Sequence, residues 1–484
     1  MLEEKINYKK IGLKAGLEIH LQLDTRNKLF CNCSTAIKER EPMMVIKRKQ
    51  HVVQSELLET DLAAQYEFMR NRTFYYQVFP KEVCLICCDE EPPLPLNQEA
   101  LEIAIQIALL LNCSLVEEIH VMRKTVIDGS TPMGFQRTMV IGKDGFIKYK
   151  GKKIPITHVS LEEDAAAIVK EENGNVTYRL NRLGVPLVEI GTGLLVNFSP
   201  KEIEEIAYLI GITCKSTGKI KKGIGAIRQD LNVSIKKDER VEIKGVQELG
   251  LLAKVIELEV KRQLALPKVE KETRAALPDG TTKYLRPLPG AARLYPETDV
   301  VPVTISKELV EKIKKELPEP WTKKLSRFKS KLKLSDDLAK QILRSDYLEL
   351  FEKIVEREKV RPPVVANTFV NTLKDLEKRE GVEAENLSEK HFIELFKALA
   401  KKKIVKEAIP EILKYLAKKP SDTVSNAIKE LNLKPIRISE LNKIVKEVIT
   451  PGMSFEKAVG IVMSKVRGRI DAEVVMKVVK EAMK

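Results

Sequence analysis

Residues 16–23 alternate without a break: Leu17, Ile19, Leu21 and Leu23 are apolar, and Glu18, His20 and Gln22 stand between them. Successive side chains of a strand leave opposite faces, so the pattern predicts a strand with one buried and one polar face. The same period recurs over 227–235, where Arg228, Asp230, Asn232 and Ser234 oppose Ile227, Leu231, Val233 and Ile235. After a Lys-Lys-Asp-Glu turn, Val241-Glu242-Ile243-Lys244 repeats it, so 226–246 reads as a hairpin presenting Asp230, Glu242 and Lys244 together. Residues 185–191 form an apolar run interrupted by one carboxylate, Glu189. A glutamate there is costly unless paired or metal-bound. Leu161-Glu162-Glu163-Asp164 leads into Ala165-Ala166-Ala167, three acids that would also suit the first turn of a helix.

Helical spacing takes over in other stretches. Within the first three hundred residues, 97–111, 200–210 and 248–264 read as helices. From Ser306 onward apolar residues recur at helical spacing among charges, as in 338–360 and 388–400. In the last stretch Leu441, Ile444, Val445 and Val448 follow an i, i+3, i+4, i+7 pattern, Ser454 and Asp471 stand as caps for two closing helices, and Gly468 marks the turn between them. The expected organisation is α+β: an antiparallel-sheet domain over 1–304, a helical domain over 305–415, and a small helical tail over 416–484.

Composition adds three constraints. At 484 residues, 43% hydrophobic and 32% charged, the chain is large enough for two or three domains, and no leader or membrane-spanning run is expected, which suits a cytoplasmic protein. The net charge of +15 is uneven, because residues 301–484 carry 40 Lys and Arg against 28 Asp and Glu while the first 300 are nearly balanced. A basic helical half suits a phosphate backbone, although a solvated lysine-rich surface would look the same. Of the seven cysteines, Cys31-x-Cys33 and Cys84-x-x-Cys87 have knuckle-like spacing with Cys88 as a competitor, whereas Cys113 and Cys214 sit in apolar surroundings as small core residues.

The acids with one histidine and no neighbouring cysteine make an oxygen-rich set, better suited to Mg²⁺ or Mn²⁺ than to Zn²⁺. Such ions commonly hold phosphates. The nearest approach to a phosphate loop, Gly211 to Lys219, has the wrong glycine spacing, and no dinucleotide fingerprint or nucleophile elbow is present. A nucleotide would therefore be held by metal, Arg and Lys on a sheet face.

Taken in order, these segments resemble one family. Gly16-Leu17-Glu18-Ile19-His20, Lys28-Leu29-Phe30-Cys31-Asn32-Cys33 and the strings at 161–166, 186–190, 228–235 and 241–244 are similar to the large B and E subunits of tRNA-dependent amidotransferases. The strings at 123–130, 134–138, 272–280 and 286–299 tilt the resemblance toward the archaeal E type. It implies a cradle-like catalytic domain, a helical domain and a tRNA-contacting tail. It further implies ATP-dependent phosphorylation of the γ-carboxylate of Glu-tRNA(Gln), then amidation by ammonia to Gln-tRNA(Gln). By the same resemblance Glu18, His20, Glu162 and Glu189 would hold Mg²⁺, with Glu163, Asp230 and Glu242 as second choices. Arg228 and Lys244 would meet phosphate or the substrate carboxylate, or else form structural ion pairs. Arg123, Lys124 and Gln136 would line the pocket.

The resemblance also implies what the chain lacks. Ammonia would come from an asparaginase-like glutaminase of the D type in an α2β2 assembly, or from an amidase in B-type complexes, which also act on Asp-tRNA(Asn). Cys31, Cys33, Cys84 and Cys87 would form a structural zinc site, as in some B-type relatives. Lys402, Lys403, Lys465, Arg467 and Arg469 are the candidate tRNA contacts. E-type proteins usually carry a domain resembling part of an aspartyl-tRNA synthetase after the helix at 248–264; here only residues 265–271 join that helix to the next strand. Two competing readings are a non-catalytic tRNA-binding module and a carboxylate-amine ligase acting on a small molecule.

Overall fold

The computed structural model describes residues 6–38, 41–52, 60–223, 225–236, 239–290, 294–450 and 453–483. Positions 237 and 238 of the hairpin turn, and 291–293 of the Pro- and Gly-rich stretch, lie outside the described residues. The chain forms two compact units, residues 1–320 and 321–484. Among the described residues no helix is long and apolar enough to cross a membrane.

The first unit is built on a twelve-stranded sheet. Its strands are β1 (Lys14–Gln22), β4 (Met122–Thr125), β5 (Phe135–Tyr149), β6 (Lys152–Glu163), β9 (Pro186–Thr192), β10 (Ile227–Ser234), β11 (Val241–Val246), β12 (Glu272–Ala276), β13 (Thr282–Pro287) and β14 (Leu294–Pro296), with two short strands beside them. A second sheet holds β2 (Met44–Arg48), β3 (Thr73–Val78), β7 (Ala167–Glu172) and β8 (Asn175–Arg179). The large sheet runs β13-β12-β11-β10-β1-β9-β6-β5-β4-β14.

Neighbours along that path are antiparallel, as the alternation predicts, save β11 and β12, which pair in parallel. The cause is local. A parallel pair needs a crossover, and helix α3 (Leu252–Ala265) supplies it between the two strands. The short link from α3 to β12 shows how the sheet closes without an inserted domain.

One face of the sheet is dry. Leu17, Ile19, Leu21, Leu161, Val188, Ile190, Leu231, Val233 and Ile243 are buried there against α1 (Gln98–Leu110), α2 (Pro200–Lys215) and α3. The helices begin where their caps dictate: Asn97 accepts from the Ala100 amide, and Ser199 with Glu202 forms a capping box ahead of Pro200. Helix Lys307–Lys315, beyond the change of texture at 304, buries Ile313 in the same core. With this face covered, the other is left for polar groups.

Residues 161–167 do not start a helix. Leu161, Glu162 and Glu163 finish β6, because the strand is paired on both sides, with β5 and with β9. Sheet pairing overrides the local acid signal.

The second unit is helical from Trp321–Ser330 to Ala472–Ala482. Residues 338–360 fall into two helices, Asp336–Arg344 and Leu348–Arg357, and Ser388 caps Glu389–Ala400. The last three helices share a core of Leu441, Val445, Val448, Val462, Val475 and Val479. Ser454 and Asp471 cap two of them as expected, and Gly468 turns with φ +68° where a Cβ would press on Leu433.

Candidate active site

The polar face of the sheet gathers side chains from eight neighbouring strands, from β4 to β12 in sheet order. Register sets Glu18 opposite both Asp230 and Gly191, His20 opposite both Arg228 and Glu189, and Glu162 opposite both Leu187 and Thr138. Two clusters of potential ligand atoms result, each within 4.8 Å: His20, Glu162 and Glu189, and Glu18, Asp230 and Glu242.

The first cluster centres on Glu189. Its Oε2 lies 3.2 Å from His20 Nε2 and 3.7 Å from Lys124 Nζ, and its Oε1 lies 3.1 Å from His158 Nε2. Lys124 also donates to Glu162 at 2.6 Å, while Thr138 Oγ1 and Gln136 Nε2 reach the same carboxylate at 2.6 and 3.0 Å. Burial opposes ionisation of Glu189, but Lys124 and the two imidazoles hold its carboxyl well below the usual range. Burial likewise opposes charging His20, and its hydrogen bond to Glu189 raises it nonetheless. The same carboxylate raises His158.

In the second cluster Lys244 bridges Asp230 at 3.2 Å and Glu242 at 3.1 Å. Asp230 also accepts from the Gly245 amide, Glu242 from Thr273 Oγ1, and Glu18 from Asn232 Nδ2 at 3.1 Å. Burial opposes ionisation of Asp230 and Glu242, yet Lys244 holds both below their ordinary values, whereas burial, with Glu189 nearby, pushes Glu18 up. Three crowded carboxylates with one lysine leave a surplus of negative charge, which a divalent cation would satisfy.

Other anticipated residues stand elsewhere. Strand alternation turns Glu163 away from Glu162, and it meets Arg137 at 3.3 Å instead of joining either cluster. Arg228 reaches Asp164 at 2.8 Å, so the structural ion pair is what the geometry shows. Arg123, one residue from Lys124 and on the opposite face, is tied to Glu297 and Asp299. Behind the site, Glu297 also accepts from Arg137 at 2.7 Å, which fixes β4, β5 and β14 to one another. Sequence reasoning passed over His158, although it stands two alternations before Glu162 on the same strand.

The four cysteines come together. Cys31 Sγ and Cys84 Sγ lie 3.7 and 3.9 Å from Cys87 Sγ, and all four sulfurs, Cys33 included, are within 4.8 Å. Hydrogen bonds among the sulfurs hold the Cys84 and Cys87 thiols low, Cys87 to about 6, and push Cys31 and Cys33 up. Cys88 is outside the group, and Cys113 and Cys214 are core residues.

In the second unit Lys402, Lys403, Lys465 and Arg467 are exposed and Arg469 is half-buried. Arg467 pairs with Glu411 at 2.8 Å and Arg469 with Glu440 at 3.4 Å.

The model of the GatB/GatE catalytic domain matches residues 13–311, which span the whole site, and that of the GatB domain matches residues 349–483. The chain belongs to the GatB/GatE family. Among similar members of this family is the E subunit of the glutamyl-tRNA(Gln) amidotransferase of Methanocaldococcus jannaschii, 35% identical over 99% of this chain and all of the relative. The proteins of the same name from Pyrobaculum neutrophilum and Methanococcus maripaludis strain C7 are 34% and 32% identical, covering 98% and 99% of this chain and 100% and 99% of their own. The first alignment runs over 629 positions against 484 residues here, so this GatB/GatE member lacks a stretch that its relative carries.

Proposed function

We propose that this chain uses ATP to activate the γ-carboxylate of glutamate on tRNA(Gln) and lets ammonia displace the phosphate, giving Gln-tRNA(Gln). The observation that carries the reading is the pair of partly buried carboxylate clusters on one sheet face, in a family member whose relatives bear the name glutamyl-tRNA(Gln) amidotransferase. The donor set fits Mg²⁺ or Mn²⁺: oxygen-dominated, one imidazole, no sulfur. His20, Glu162 and Glu189 would hold one ion, and Glu18, Asp230 and Glu242 another. Bound ions would supply charge neutralisation for the phosphates of ATP during transfer.

The chain's own residues do the rest by position. Lys124 and Lys244 supply positive charge held beside the carboxylates on a partly buried sheet face, where it counts for more than in open solvent. Thr138 and Gln136 orient Glu162, and His158 orients Glu189. A carboxylate oxygen of the substrate bonds to the γ-phosphorus as the bridging P–O bond breaks and ADP leaves. The lone pair of ammonia then attacks the acyl carbon, the acyl–phosphate bond breaks, and inorganic phosphate departs as the nitrogen gives up a proton.

In this reading the ammonia comes from an asparaginase-like glutaminase partner in an α2β2 complex in the cytoplasm, and the basic second unit binds tRNA. The four cysteines would hold a structural zinc. A zinc tetrahedron with bonds of about 2.3 Å has sulfur–sulfur edges of about 3.8 Å, and two such edges here measure 3.7 and 3.9 Å.

The test gives the chain alone Glu-tRNA(Gln), ATP and Mg²⁺ with either ammonium chloride or glutamine. The expected result is Gln-tRNA and ADP with ammonium and none with glutamine. Product from glutamine without a partner, or neither ADP nor product with ammonium, contradicts the proposal.

A further inference from the structure

Lys28 presents an unusual problem of charge. It is 1% exposed, among the largest fully buried side chains of the protein. Its Nζ donates to Cys87 Sγ at 3.4 Å and to the Leu180 carbonyl at 3.1 Å, and among the described residues no carboxylate forms an ion pair with it. A buried ammonium is costly unless an anion faces it. Among the described residues the group of anionic potential bonded to it is the Cys87 sulfur, while the Glu163 carboxylate, which lines the same small cavity, is paired with Arg137. Neutral thiols or a pair of disulfides would leave the lysine uncompensated, whereas four thiolates on a divalent ion carry a surplus of two negative charges, one of which an ammonium offsets.

The same lysine lies at a junction of backbone. Its amide donates to the Cys33 carbonyl at 2.9 Å, closing the loop that carries Cys31 and Cys33. The next amide, of Leu29, donates to Gly184, and the Gly184 amide donates to Asp164, at 2.8 and 2.9 Å. Gly184 has φ +77°, so the backbone there favours glycine, while a Cβ would only touch Lys28 Cδ and Glu163 Oε1 at 3.6 Å. Residues 180–184 lead directly into β9 with Glu189, and Asp164 follows the end of β6 with Glu162.

We infer that Lys28 is the built-in counter-cation of a metal–thiolate centre formed by Cys31, Cys33, Cys84 and Cys87, and that it ties this centre to the segments carrying Glu162 and Glu189. The inference does not depend on the reaction proposed above. It makes Lys28 a positioning residue for the centre: the lysine raises the metal affinity of the thiolates, and the occupied centre in turn keeps the lysine paired.

The experiment compares full-length wild type, K28M and K28R. Each is stripped, then titrated with Co²⁺, whose absorption reports tetrahedral thiolate coordination, and with Zn²⁺ against a coloured chelator. Wild type is expected to give the four-thiolate spectrum with one ion. K28M should hold zinc about 10–100-fold more weakly, the range found when a group supporting metal ligands is removed. K28R, which keeps the cation, should stay within a few-fold of wild type. Three results overturn the inference: no tetrahedral thiolate spectrum in wild type, undiminished zinc affinity in K28M, or a loss in folded K28R as large as in K28M. If K28M does not fold, K28R decides, because near-wild-type affinity there is what a charge role requires and a packing role does not.

Discussion

Glu189 is the residue on which the site turns, because both of its oxygens are already engaged, by His20 with Lys124 on one side and His158 on the other. His158→Ala frees one oxygen while leaving the three grouped ligand residues in place. Mn²⁺ affinity, followed by electron paramagnetic resonance, should fall about 10–100-fold, with tRNA binding unchanged. The pH dependence follows from the same contacts. Glu189 raises His20 and His158 above 6.5, so in the metal-free protein the protonated pair stabilises the fold fully below that value and the gain is lost as pH rises through the raised values. A cation competes with those protons. Mn²⁺ affinity should therefore rise with pH across neutrality and binding should release protons, measurable by calorimetry in two buffers of different ionisation enthalpy. Affinity independent of pH, with no proton release, would place the ion away from His20. The bare sequence made Glu18, His20 and Glu189 visible, since a charged side chain in an apolar or alternating run stands out. It gave less on His158, whose strand is long and carries polar groups on both faces, and nothing on the partner of Lys28, which depends on a chain segment some sixty residues away.

At the level of the elements, period-two alternation was enough to place β1, β10 and β11 and to say which side chains share a face. What alternation does not encode is lateral order: that β9 and β10 flank β1, or that β11 and β12 run parallel, is settled by the crossover helix and by packing on the apolar face. The acids at 161–167 show the same limit from the other side, since the local signal suits a helix start and two paired neighbours impose a strand. Gly191 exposes a close approach that the sequence conceals. A methyl group there would overlap the His158 ring and crowd Thr157 Oγ1. Gly191→Ala should therefore lower Mn²⁺ affinity about as much as His158→Ala, and the double variant should add little, because both act on one contact. Additive losses in the same titration would show that the glycine serves the strand and not the histidine.

For the molecule as a whole, the carboxylate clusters and the positive charge are separated along the chain, the clusters lying in the first unit and most of the positive surplus after residue 300. Phosphate contacts are read by salt. Arg467→Ala should weaken tRNA binding by a similar factor for cognate and non-cognate tRNA and reduce the slope of log K against log salt by about 1. An unchanged slope would leave Arg467 to its ion pair with Glu411. The family was legible from motif strings spread over nearly the whole chain, whereas three domains were expected, over 1–304, 305–415 and 416–484, and the boundary between the two compact units, where Ile313 still belongs to the first core, needed the packing. The central claim is that the carboxylate face carries the chemistry, and it is tested most directly with Glu189→Gln. In the ammonium-dependent reaction with Glu-tRNA(Gln), ATP and Mg²⁺, wild type should form Gln-tRNA with ADP, while Glu189→Gln should bind tRNA equally well and form neither. A variant that turns over like wild type would contradict the account.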